Sequence, residues 1–419
     1  MVEMKSGYKM TEVGVIPEDW EVCELRNHLV LLTDYDANGS FADMASNVVT
    51  TTGNGYAWYV RATDLEQQSS LSEVKYVDEK SYRFLRKSTL YGGEVLLAKR
   101  GEIGKVYYFQ MKTKRATLAP NLYLLKLKDT INSYFLFSLF KSTFGQNLLK
   151  SINASTSLGA IYKDDVKGLN ILIPPFEEQA SIATALSDVD SLISALTKKI
   201  EKKKAIKQGL MQQLLTGKKR LPGFGDVWDV VQLKRIISEF IVPMRDKPTA
   251  LTGPIPWCRI EDFDGKYLKK SLSNQGVDLN TVSKMNLKIF PVNTLLVSCS
   301  ANLGRCAIVK QKLVTNQTFI GLVPSDRIDV EFLYYKMSRE DKNLNNMATG
   351  TTISYLSREQ FENYEILIPS SKAEQTAIAN ILSDCDSEIA ALEEKRDKYK
   401  EIKQGMMQQL LTGKIRLIK

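Results

Sequence analysis

Apolar residues recur at alternating steps of four and three positions in two separate stretches of the chain. The two series are Ile182, Leu186, Val189, Ile193, Leu196 and Ile200, and then Ile378, Leu382, Cys385, Ile389 and Leu392. This spacing is the a/d seam of a coiled coil and predicts two long amphipathic helices. A helix over 179–216 is roughly 57 Å long at about 1.5 Å rise per residue, so it needs a packing partner along its length.

The seam becomes less regular after Ile200. Lys203 falls in register, and the next apolar residues form a slightly rotated stripe of Ile206, Leu210, Met211 and Leu214. We interpret this change as a local slip in the coiled-coil register. Gly217 and Gly413 follow the last apolar residues of the two stretches, each with a lysine next, which predicts a helix C-terminus at both.

The two stretches are copies of each other. Residues 179–221 and 375–417 align without a gap and are identical at 28 of 43 positions. The upstream parts are less alike, but landmarks recur in the same order, including Trp20 and Trp228, Arg61-x-x-Asp64 and Arg259-x-x-Asp262, Gly104 and Gly304, and apolar runs ending at Pro174 and Pro369. The period is far longer than the roughly 20–50 residues of a solenoid unit, so it indicates a duplicated domain plus helix.

The predicted fold class is α+β with a pseudo-two-fold internal repeat. Its expected parts are a first globular domain, a first conserved helix, a second globular domain and a second conserved helix, over 1–176, 177–217, 218–371 and 372–419. Two near-identical helices can pair antiparallel, burying both seams and separating the two domains. The alternative is that each helix packs only on its own domain.

Composition agrees with a soluble globular protein of two or three domains. The 419 residues are 43% hydrophobic and 25% charged, and no stretch approaches the roughly 20 apolar residues of a membrane span. Residues 1–7 lack the apolar core of a signal peptide, and five scattered cysteines argue against a disulfide framework. We therefore expect a cytoplasmic protein with free thiols.

The charge balance favours an anionic partner. The chain has 57 Lys and Arg against 48 Asp and Glu, a net charge of +9. An excess of this kind is typical of nucleic-acid binders, although by itself it is a weak signal.

Catalytic chemistry is missing from the pattern. His28 is the only histidine, which excludes a Ser-His-Asp or Cys-His site in each half and a symmetric pair of histidine-ligated zinc sites. The run Gly101-Glu102-Ile103-Gly104-Lys105 lacks the spacing and hydroxyl of a phosphate-binding P-loop. We predict no catalytic residues and no metal site, and we interpret the run as a turn that presents basic residues.

Several motifs resemble one family. The opening 7–21 with its Pro17-Glu18-Asp19-Trp20, the Ile173-Pro174-Pro175-Phe176-Glu177-Glu178-Gln179 before the first helix, and both Gln-Gln-Leu-Leu-Thr-Gly-Lys segments are similar to the specificity (S) subunit of type I restriction-modification systems. The resemblance spans the whole chain. It implies two target recognition domains that each read one half of a split double-stranded DNA site, and conserved spacer helices that dock two methyltransferase (M) subunits.

The resemblance also implies which chemistry lies elsewhere. The S subunit performs no catalysis, so S-adenosylmethionine, ATP and Mg would be bound by partner subunits, with restriction (R) subunits joining through the complex. The seam residues of both helices are the expected positions for helix pairing and partner docking. A self-contained methyltransferase-nuclease would need a cofactor motif and an Asn-Pro-Pro-aromatic tetrad, and neither is present. A purely structural coiled-coil adaptor has no evident need for two different domains.

Specificity in such a protein comes from side chains that reach base edges, and affinity comes mainly from Lys and Arg at phosphates. The candidates in the first half are Lys99, Arg100, Lys105, Asn121 and Arg61, and those in the second are Ser300, Asn302, Arg305, Asn316, Gln317 and Arg259. Arg61 and Arg259 each precede an aspartate by three residues, so we favour an ion pair within the domain for those two.

Two features of the sequence each allow two interpretations, and a third predicts a difference between the two helices. The polar loops 155–159 and 349–353 fit phosphate contacts or ordinary turns. The lysine run 198–204 fits a track for the DNA between half-sites or a solvated helix face. The second helix follows Pro369 through one residue more than the first follows Pro174 and lacks the Pro-Phe, which predicts a different geometry at its start.

Overall fold

The structure is a computed structural model that describes residues 6–101, 103–153, 159–243, 247–300, 302–348 and 355–417. The chain forms two compact units. The first unit contains Met1–Thr197 and Glu394–Lys419, and the second contains Lys198–Glu393. Each of the two long helices is therefore divided between the units. None of the helices in the described ranges combines the length and the apolar composition that a membrane span requires.

The first unit alternates short strands with short helices. Its strands are β1 (Tyr8–Thr11), β2 (Gly14–Pro17), β3 (Glu21–Glu24), β4 (Leu29–Asp34), β5 (Thr50–Thr52), β6 (Ala57–Val60), β7 (Lys75–Val77), β8 (Thr89–Leu90), β9 (Val95–Ala98), β10 (Val106–Tyr108), β11 (Ala116–Leu118), β12 (Leu122–Leu127) and β13 (Asn170–Ile173). Its helices are α1 (Phe41–Asn47), α2 (Ala62–Glu66), α3 (Glu79–Phe84), α4 (Ser133–Lys141), α5 (Thr143–Ser151), α6 (Lys163–Lys167) and the start of α7 (Phe176–Leu214).

The second unit repeats this order with fewer elements. Its strands are β14 (Trp228–Gln232), β15 (Ile237–Ile241), β16 (Ile255–Cys258), β17 (Tyr267–Leu268), β18 (Gly276–Val277), β19 (Leu295–Ser298), β20 (Cys306–Val309), β21 (Val314–Thr315), β22 (Phe319–Pro324) and β23 (Glu365–Pro369). Its helices are α8 (Leu279–Lys284), α9 (Val330–Met337), α10 (Asp341–Met347), α11 (Arg358–Asn363) and the start of α12 (Lys372–Leu410). We call residues 6–175 head 1 and residues 215–371 head 2.

Each head contains two larger sheets, and equivalent strands have the same order in both heads. An antiparallel sheet has the order β10-β9-β12-β4 in head 1 and β20-β19-β22-β15 in head 2, where β17 adds a parallel edge strand. A second sheet contains β7-β6-β11 in head 1 and β18-β16-β21 in head 2, with the last two strands parallel in each case. The predicted strands before Pro174 and at Pro369 are present as β13 and β23, which pair with β3 and β14. The fold class is α+β with an internal repeat, as predicted.

The central strand of each head lies within its hydrophobic core. All four residues of β9 and all four of β19 are buried. A continuous apolar run of this length is the pattern of a strand covered on both faces. The five cysteines are free, and Cys258, Cys299 and Cys306 lie in these cores.

The two long helices run antiparallel beside each other within each unit. In the first unit, the start of α7 lies along the end of α12, where Asp190 and Lys403 form an ion pair of 2.6 Å. In the second unit, the end of α7 lies along the start of α12, where Lys203 contacts Glu388 at 2.7 Å. Both helices have 39 residues and begin and end 196 positions apart. The repeat in the sequence is therefore a repeat in structure.

The predicted slip after Ile200 is wrong. The seam continues at steps of three and four through Lys203, Lys207, Leu210 and Leu214, whose side chains are buried or half-buried, whereas Ile206 is 44% exposed. Lys207 binds Asp386 of α12, in the same way that Lys203 binds Glu388. Because carboxylates of the partner helix neutralise these ammonium groups, lysines occupy positions that an apolar pattern reserves for aliphatic side chains.

Each helix also packs on its own head in addition to pairing with the other helix, so the alternative that each packs only on its own domain is wrong. Ile182 and Leu186 belong to the core of head 1, which Leu410 and Leu411 of α12 complete. The equivalent core of head 2 contains Ile378, Leu382, Leu214 and Leu215. Of the other seam residues, three are buried (Leu196, Ile200, Ile389) and four are half-buried (Val189, Ile193, Cys385, Leu392).

The two helices start in the same way, so the predicted difference in geometry is wrong. Gln179 accepts a hydrogen bond from the backbone N–H of Asn132 and donates to the carbonyl of Pro174, both at 2.9 Å. Gln375 makes the same two bonds with Asp329 and Pro369, also at 2.9 Å. The additional residue is absorbed before the helix, because β23 continues through its proline whereas β13 ends before it.

Candidate nucleic-acid interface

Three segments of head 1 meet at the end of strand β9. The backbone N–H of Lys99 donates to the carbonyl of Asn121 at 3.0 Å, and the N–H of Ile161 donates to the carbonyl of Lys99 at 3.1 Å. The N–H of Gly101 donates to the carbonyl of Gly159 at 2.9 Å. The loop 99–105, the turn 119–121 and the segment 159–161 therefore form one edge, which we call the head 1 edge.

Head 2 has the same edge at the end of β19. The N–H of Cys299 donates to the carbonyl of Thr318 at 2.9 Å, and the N–H of Leu356 donates to the carbonyl of Cys299 at 2.9 Å. A β-bridge joins Ser300 to Tyr355, as another joins Arg100 to Ala160 in head 1. The loop 299–305, the turn 316–318 and residues 355–356 form the head 2 edge. Most of the predicted site residues lie on these two edges.

Lys99 is buried rather than presented to solvent. Its ammonium group contacts Asp34 at 3.1 Å and Asp36 at 2.5 Å, and Lys163 contacts Asp34 at 2.8 Å. Burial raises the pKa of Asp34, but the hydrogen bonds from Lys163 and Lys99 outweigh burial and hold the pKa below its ordinary value. Lys99 therefore supports the head 1 edge from inside.

Arg100 and Asn121 are exposed on the head 1 edge. Both line a cavity of about 520 Å³, the head 1 cleft, together with Tyr35, Phe41 and Tyr59. Asn121 has a positive φ of 73°, a conformation that asparagine tolerates better than most residues. The structure thus places Arg100 and Asn121, two of the predicted site residues, on the same cavity.

Lys105 lies apart from that pair. It forms an ion pair with Glu66 at 2.9 Å, and Tyr107 donates to the same carboxylate at 2.6 Å. Lys105 lines a different cavity, of about 600 Å³, with Tyr134 and Lys141. The loop 99–105 therefore presents Arg100 and Lys105 to different surfaces.

The two repeated arginines behave differently. Arg61 forms the expected ion pair, with its guanidinium nitrogens 2.5–3.1 Å from the buried carboxylate of Asp64. Arg259 does not form this pair, because Asp262 accepts from the backbone N–H of Arg259 at 2.7 Å while the guanidinium donates to Gln275 at 3.1 Å. The ion pair predicted for the second half is thus wrong, and both side chains are held within their own heads.

The remaining candidates of head 2 form a small polar edge. Asn302, Arg305 and Gln317 are exposed, and Asn302 has a positive φ of 53°. Arg305 donates to the carbonyl of Phe263 at 3.2 Å, and Asn316 accepts from Thr318 at 2.6 Å. The half-buried Ser300 lies at the bridge to Tyr355. The polar loops 155–158 and 349–353 lie outside the described residues.

The lysine run 198–204 is partly neutralised. Lys203 binds Glu388, and Lys204 binds Glu393 at 2.6 Å. Lys198, Lys199 and Lys202 are exposed. The half of the run that faces α12 serves the helix pair, and the exposed half remains a solvated face or a phosphate contact.

Sequence reasoning missed two buried anchors that repeat in the two units. In the first unit Glu178 accepts from Trp20 at 2.9 Å and from two nitrogens of Arg416, both at 2.7 Å. In the second unit Glu374 accepts from Trp228 at 3.3 Å and from two nitrogens of Arg220 at 2.7 and 2.8 Å. Both glutamates are fully buried. The recurrence of Trp, Glu and Arg in the aligned copies was the available signal.

A second repeated network links each head to both helices. Tyr134 of α4 donates to Asp190 at 2.5 Å, and Lys403 binds the other oxygen of that carboxylate. Tyr335 of α9 donates to Asp386 at 2.5 Å, and Lys207 binds its other oxygen. Burial and the hydrogen bond to the carboxylate raise the pKa of both phenols well above the ordinary value, so both remain neutral donors.

Comparison with known proteins shows which protein family has this architecture. The family described as the type I restriction modification DNA specificity domain matches residues 17–208 and 225–404. A protein of Methanocaldococcus jannaschii, provisionally named the MjaX specificity subunit of a type I restriction enzyme, is 27% identical over 430 residues, covering 99% of this chain and 97% of that protein.

Two solved structures have the same fold. The crystal structure of a type I restriction-modification system S subunit from M. genitalium matches with a TM-score of 0.62 at 15% identity, over 98% of each chain. A chain from a structural study of complex assembly and conformational transition of the type I R-M system matches with a TM-score of 0.54 at 16% identity, over 96% of this chain and 99% of that chain. Because the family match covers both halves, this chain belongs to the type I restriction-modification DNA specificity family.

Proposed function

We propose that this protein is the DNA-reading subunit of a type I restriction-modification complex and that head 1 and head 2 each read one half of a split site in double-stranded DNA. The chain itself performs no catalysis. S-adenosylmethionine, ATP and Mg are bound by its partners, which are two methyltransferase subunits and, through them, the restriction subunits.

The two heads repeat one scaffold but differ at the same edge, and this difference supports the proposal. Arg100 of the head 1 edge corresponds to Ser300 of the head 2 edge, and each is bridged to the segment that leads back to the long helix. By contrast, the anchors at Glu178 and Glu374 are the same in both units. A scaffold kept constant around two different edges is what a reader of two different half-sites needs.

Base reading is assigned to the exposed polar side chains of each edge. Arg pairs with the O6 and N7 atoms of guanine and Asn with the N6 and N7 atoms of adenine in the major groove, which gives Arg100 and Asn121 defined roles in head 1. Asn302 and Arg305 are the equivalent candidates in head 2, supported by Ser300, Asn316 and Gln317. Lys99, Arg61 and Arg259 hold the heads in shape, and Lys105 is a phosphate-contact candidate on its own surface.

The exposed faces of the long helices support docking of two identical partners. Gly209 and Gly405 lie within the helices, and a Cβ built at either has no other atom within 4 Å apart from the adjacent residues and the backbone of its own helix. A helical glycine costs about 0.5–1 kcal/mol relative to alanine. Ile206 and Ile402, one turn earlier, are 44% and 42% exposed. The chain's own packing requires neither glycine, so we attribute both to the close approach of a partner.

The proposal is tested by purifying the chain with a candidate methyltransferase and mapping methylated adenines across a genome. We expect one split motif that is methylated only when both proteins are present. A methyltransferase that modifies the same motif without this chain, or a continuous motif, would refute the proposal.

Binding should also weaken steeply with salt, because each phosphate contact releases a counterion. Affinity of the complex for its duplex, measured between 50 and 200 mM salt, is expected to fall by orders of magnitude. A flat salt response would contradict the assignment to DNA.

A further inference from the structure

Head 1 contains an insertion that head 2 lacks. The connection between β4 and β6 has 22 residues, 35–56, whereas the equivalent connection between β15 and β16 has 13, 242–254. The additional residues form α1 and β5. The first residue of α1, Phe41, is 92% exposed.

The platform beneath Phe41 is firmly held. Ser40 and Asp43 form a capping box, in which the side chain of Ser40 accepts from the N–H of Asp43 at 3.2 Å and Asp43 accepts from the N–H of Ser40 at 2.8 Å. At the other end of the helix, Ser81 donates to the carbonyl of Asn47 and accepts from the N–H of Val49, both at 3.0 Å. Because Met44 on the next turn is buried, α1 is a packed element and its solvated phenylalanine is not a consequence of loose packing.

Phe41 lies on the same cleft as the base-reading pair. The head 1 cleft is lined by Phe41, Arg100 and Asn121, with Asp36 on its wall. Lys99 neutralises Asp36, and Arg100 forms no ion pair with any residue in the described part of the chain. The cleft therefore presents a positive rim, which complements the charge of a DNA duplex.

The three exposed side chains match the three kinds of contact that a base edge offers. Guanidinium and carboxamide groups hydrogen-bond purine edges, and an aromatic ring packs on the 5-methyl group of thymine. A large aromatic side chain held in water gains hydrophobic free energy only when a ligand covers it. Within head 1, the base-pair edge is the ligand that uses all three groups.

We propose that the head 1 cleft receives a base-pair edge of the first half-site and that Phe41 packs on the 5-methyl group of a thymine there. This inference rests on the proposed function, since it concerns how head 1 reads its half-site. It assigns to the first half-site a methyl contact from an inserted helix, and the described residues of the equivalent connection in head 2, 242–243 and 247–254, contain no helix.

The test uses the full chain in complex with its methyltransferase and a duplex that carries the mapped site. Each thymine of the site is replaced in turn by deoxyuridine, which removes only the methyl group. For the unmodified protein we expect one replacement in the first half-site to weaken binding about tenfold, the equivalent of about 1.4 kcal/mol. Phe41→Ala should bind the normal duplex about tenfold more weakly and should no longer respond to that replacement.

Leu279→Ala is the matched control. Leu279 is also the first residue of a short helix capped by an aspartate side chain, and it is 69% exposed on head 2. This variant should keep the full response to deoxyuridine. Thermal unfolding of both variants should match the unmodified protein, because both side chains are solvated.

Three outcomes would overturn the inference: Phe41→Ala binding as tightly as the unmodified protein, an equal loss of affinity for specific and unrelated duplexes, or a first half-site composed only of G·C pairs. The proposed function fails differently, through the absence of any split motif in the methylation map of the unmodified protein.

Discussion

A lysine in a glycine-containing loop of a basic protein is an obvious candidate for a phosphate contact, yet Lys99 is only 7% exposed and is bound by Asp34 and Asp36. Its neighbour Arg100 is exposed, although the two residues are adjacent in sequence. The difference arises because side chains alternate in direction at the end of β9. At the scale of single residues, burial and ion pairing decide which basic groups remain for DNA.

The Asp34 cluster gives a prediction at the residue scale. Asp34→Asn leaves Lys99 with Asp36 alone and removes the carboxylate that Lys163 contacts, so we expect a loss of about 3 kcal/mol in the free energy of unfolding at pH 7. Since the folded-state pKa of Asp34 lies below its unfolded value, this contribution is present above about pH 4 and is lost as the pH falls through the lower folded pKa. Urea unfolding of both proteins from pH 3 to pH 7 measures the difference.

Asp36→Asn is the control for that series. The side chain of Asp36 is largely exposed, so its ion pair with Lys99 should contribute less than about 1 kcal/mol. Equal destabilisation by the two substitutions, or a difference that does not narrow below about pH 4, would show that the cluster is not buried as described.

At the scale of elements, the long helices accommodate lysine residues within an otherwise apolar seam. Lys207 and Lys403 lie at seam positions, and each is bound by an aspartate that also accepts from a tyrosine of a head. The helix pair and the head thus share one half-buried carboxylate in each unit. This arrangement joins three elements through a single side chain, which an aliphatic residue cannot do.

Tyr335→Phe removes one donor from Asp386 and leaves that carboxylate with Lys207. Hydrogen bonds to charged groups contribute about 1.5–3 kcal/mol, so we expect a loss of this size in the free energy of unfolding. Tyr267→Phe is the control, because Tyr267 donates to Glu331 at 2.8 Å from an exposed position and should contribute less. Denaturant unfolding of the two variants compares them directly, and a larger loss from Tyr267→Phe would contradict the importance of the buried network.

Gly209→Ala and Gly405→Ala should each stabilise the folded chain and weaken its assembly with the methyltransferase. Each should raise the free energy of unfolding by about 0.5–1 kcal/mol, because alanine is the better helix former and its Cβ meets no atom apart from the adjacent residues and the backbone of its own helix. Each should weaken binding of one methyltransferase subunit, and the double variant should weaken both. Unfolding curves and the stoichiometry of the purified complex provide the two measurements.

Gln208→Ala controls for a change elsewhere on the same exposed helix surface. Unaltered methyltransferase binding by both glycine variants would remove the close-approach argument for docking, while their gain in stability would still stand.

At the scale of the whole molecule, each compact unit combines one head with the start of one long helix and the end of the other. The anchors at Glu178 and Glu374 join these three parts in the same way in both units. Under the proposed function, recognition and assembly are carried by different parts of each unit, the edges of the heads and the exposed faces of the helices.

This separation predicts modular specificity. Exchanging residues 1–170 for the matching region of a relative replaces the head 1 edge and retains head 2 and both helices. We expect only one half of the recognised sequence to change in a methylation map. Changes in both halves would contradict the independent reading of half-sites, and failure of the exchanged chain to form a complex would show that head 1 is required for assembly.

Much of the fold could be predicted from the sequence, because a duplicated chain shows internal similarity between its two halves. A seam at steps of four and three fixes two long helices, and 28 identities in 43 positions fix their equivalence. The strands before Pro174 and at Pro369 follow from short apolar runs. Local patterns of this kind report local structure, since periodicity and proline act within a few residues.

The sequence alone determined the α+β repeat, the two helices and the absence of a recognisable catalytic motif. Only the tertiary structure decided that Lys99 is internal, that Lys207 and Lys403 belong to the seam, and that Phe41 shares a cleft with Arg100. These outcomes depend on which residues, distant in sequence, supply a carboxylate or leave a surface open. Periodicity along one chain carries no information about that partner, so the exposed edge and its chemistry emerge only when the elements pack together.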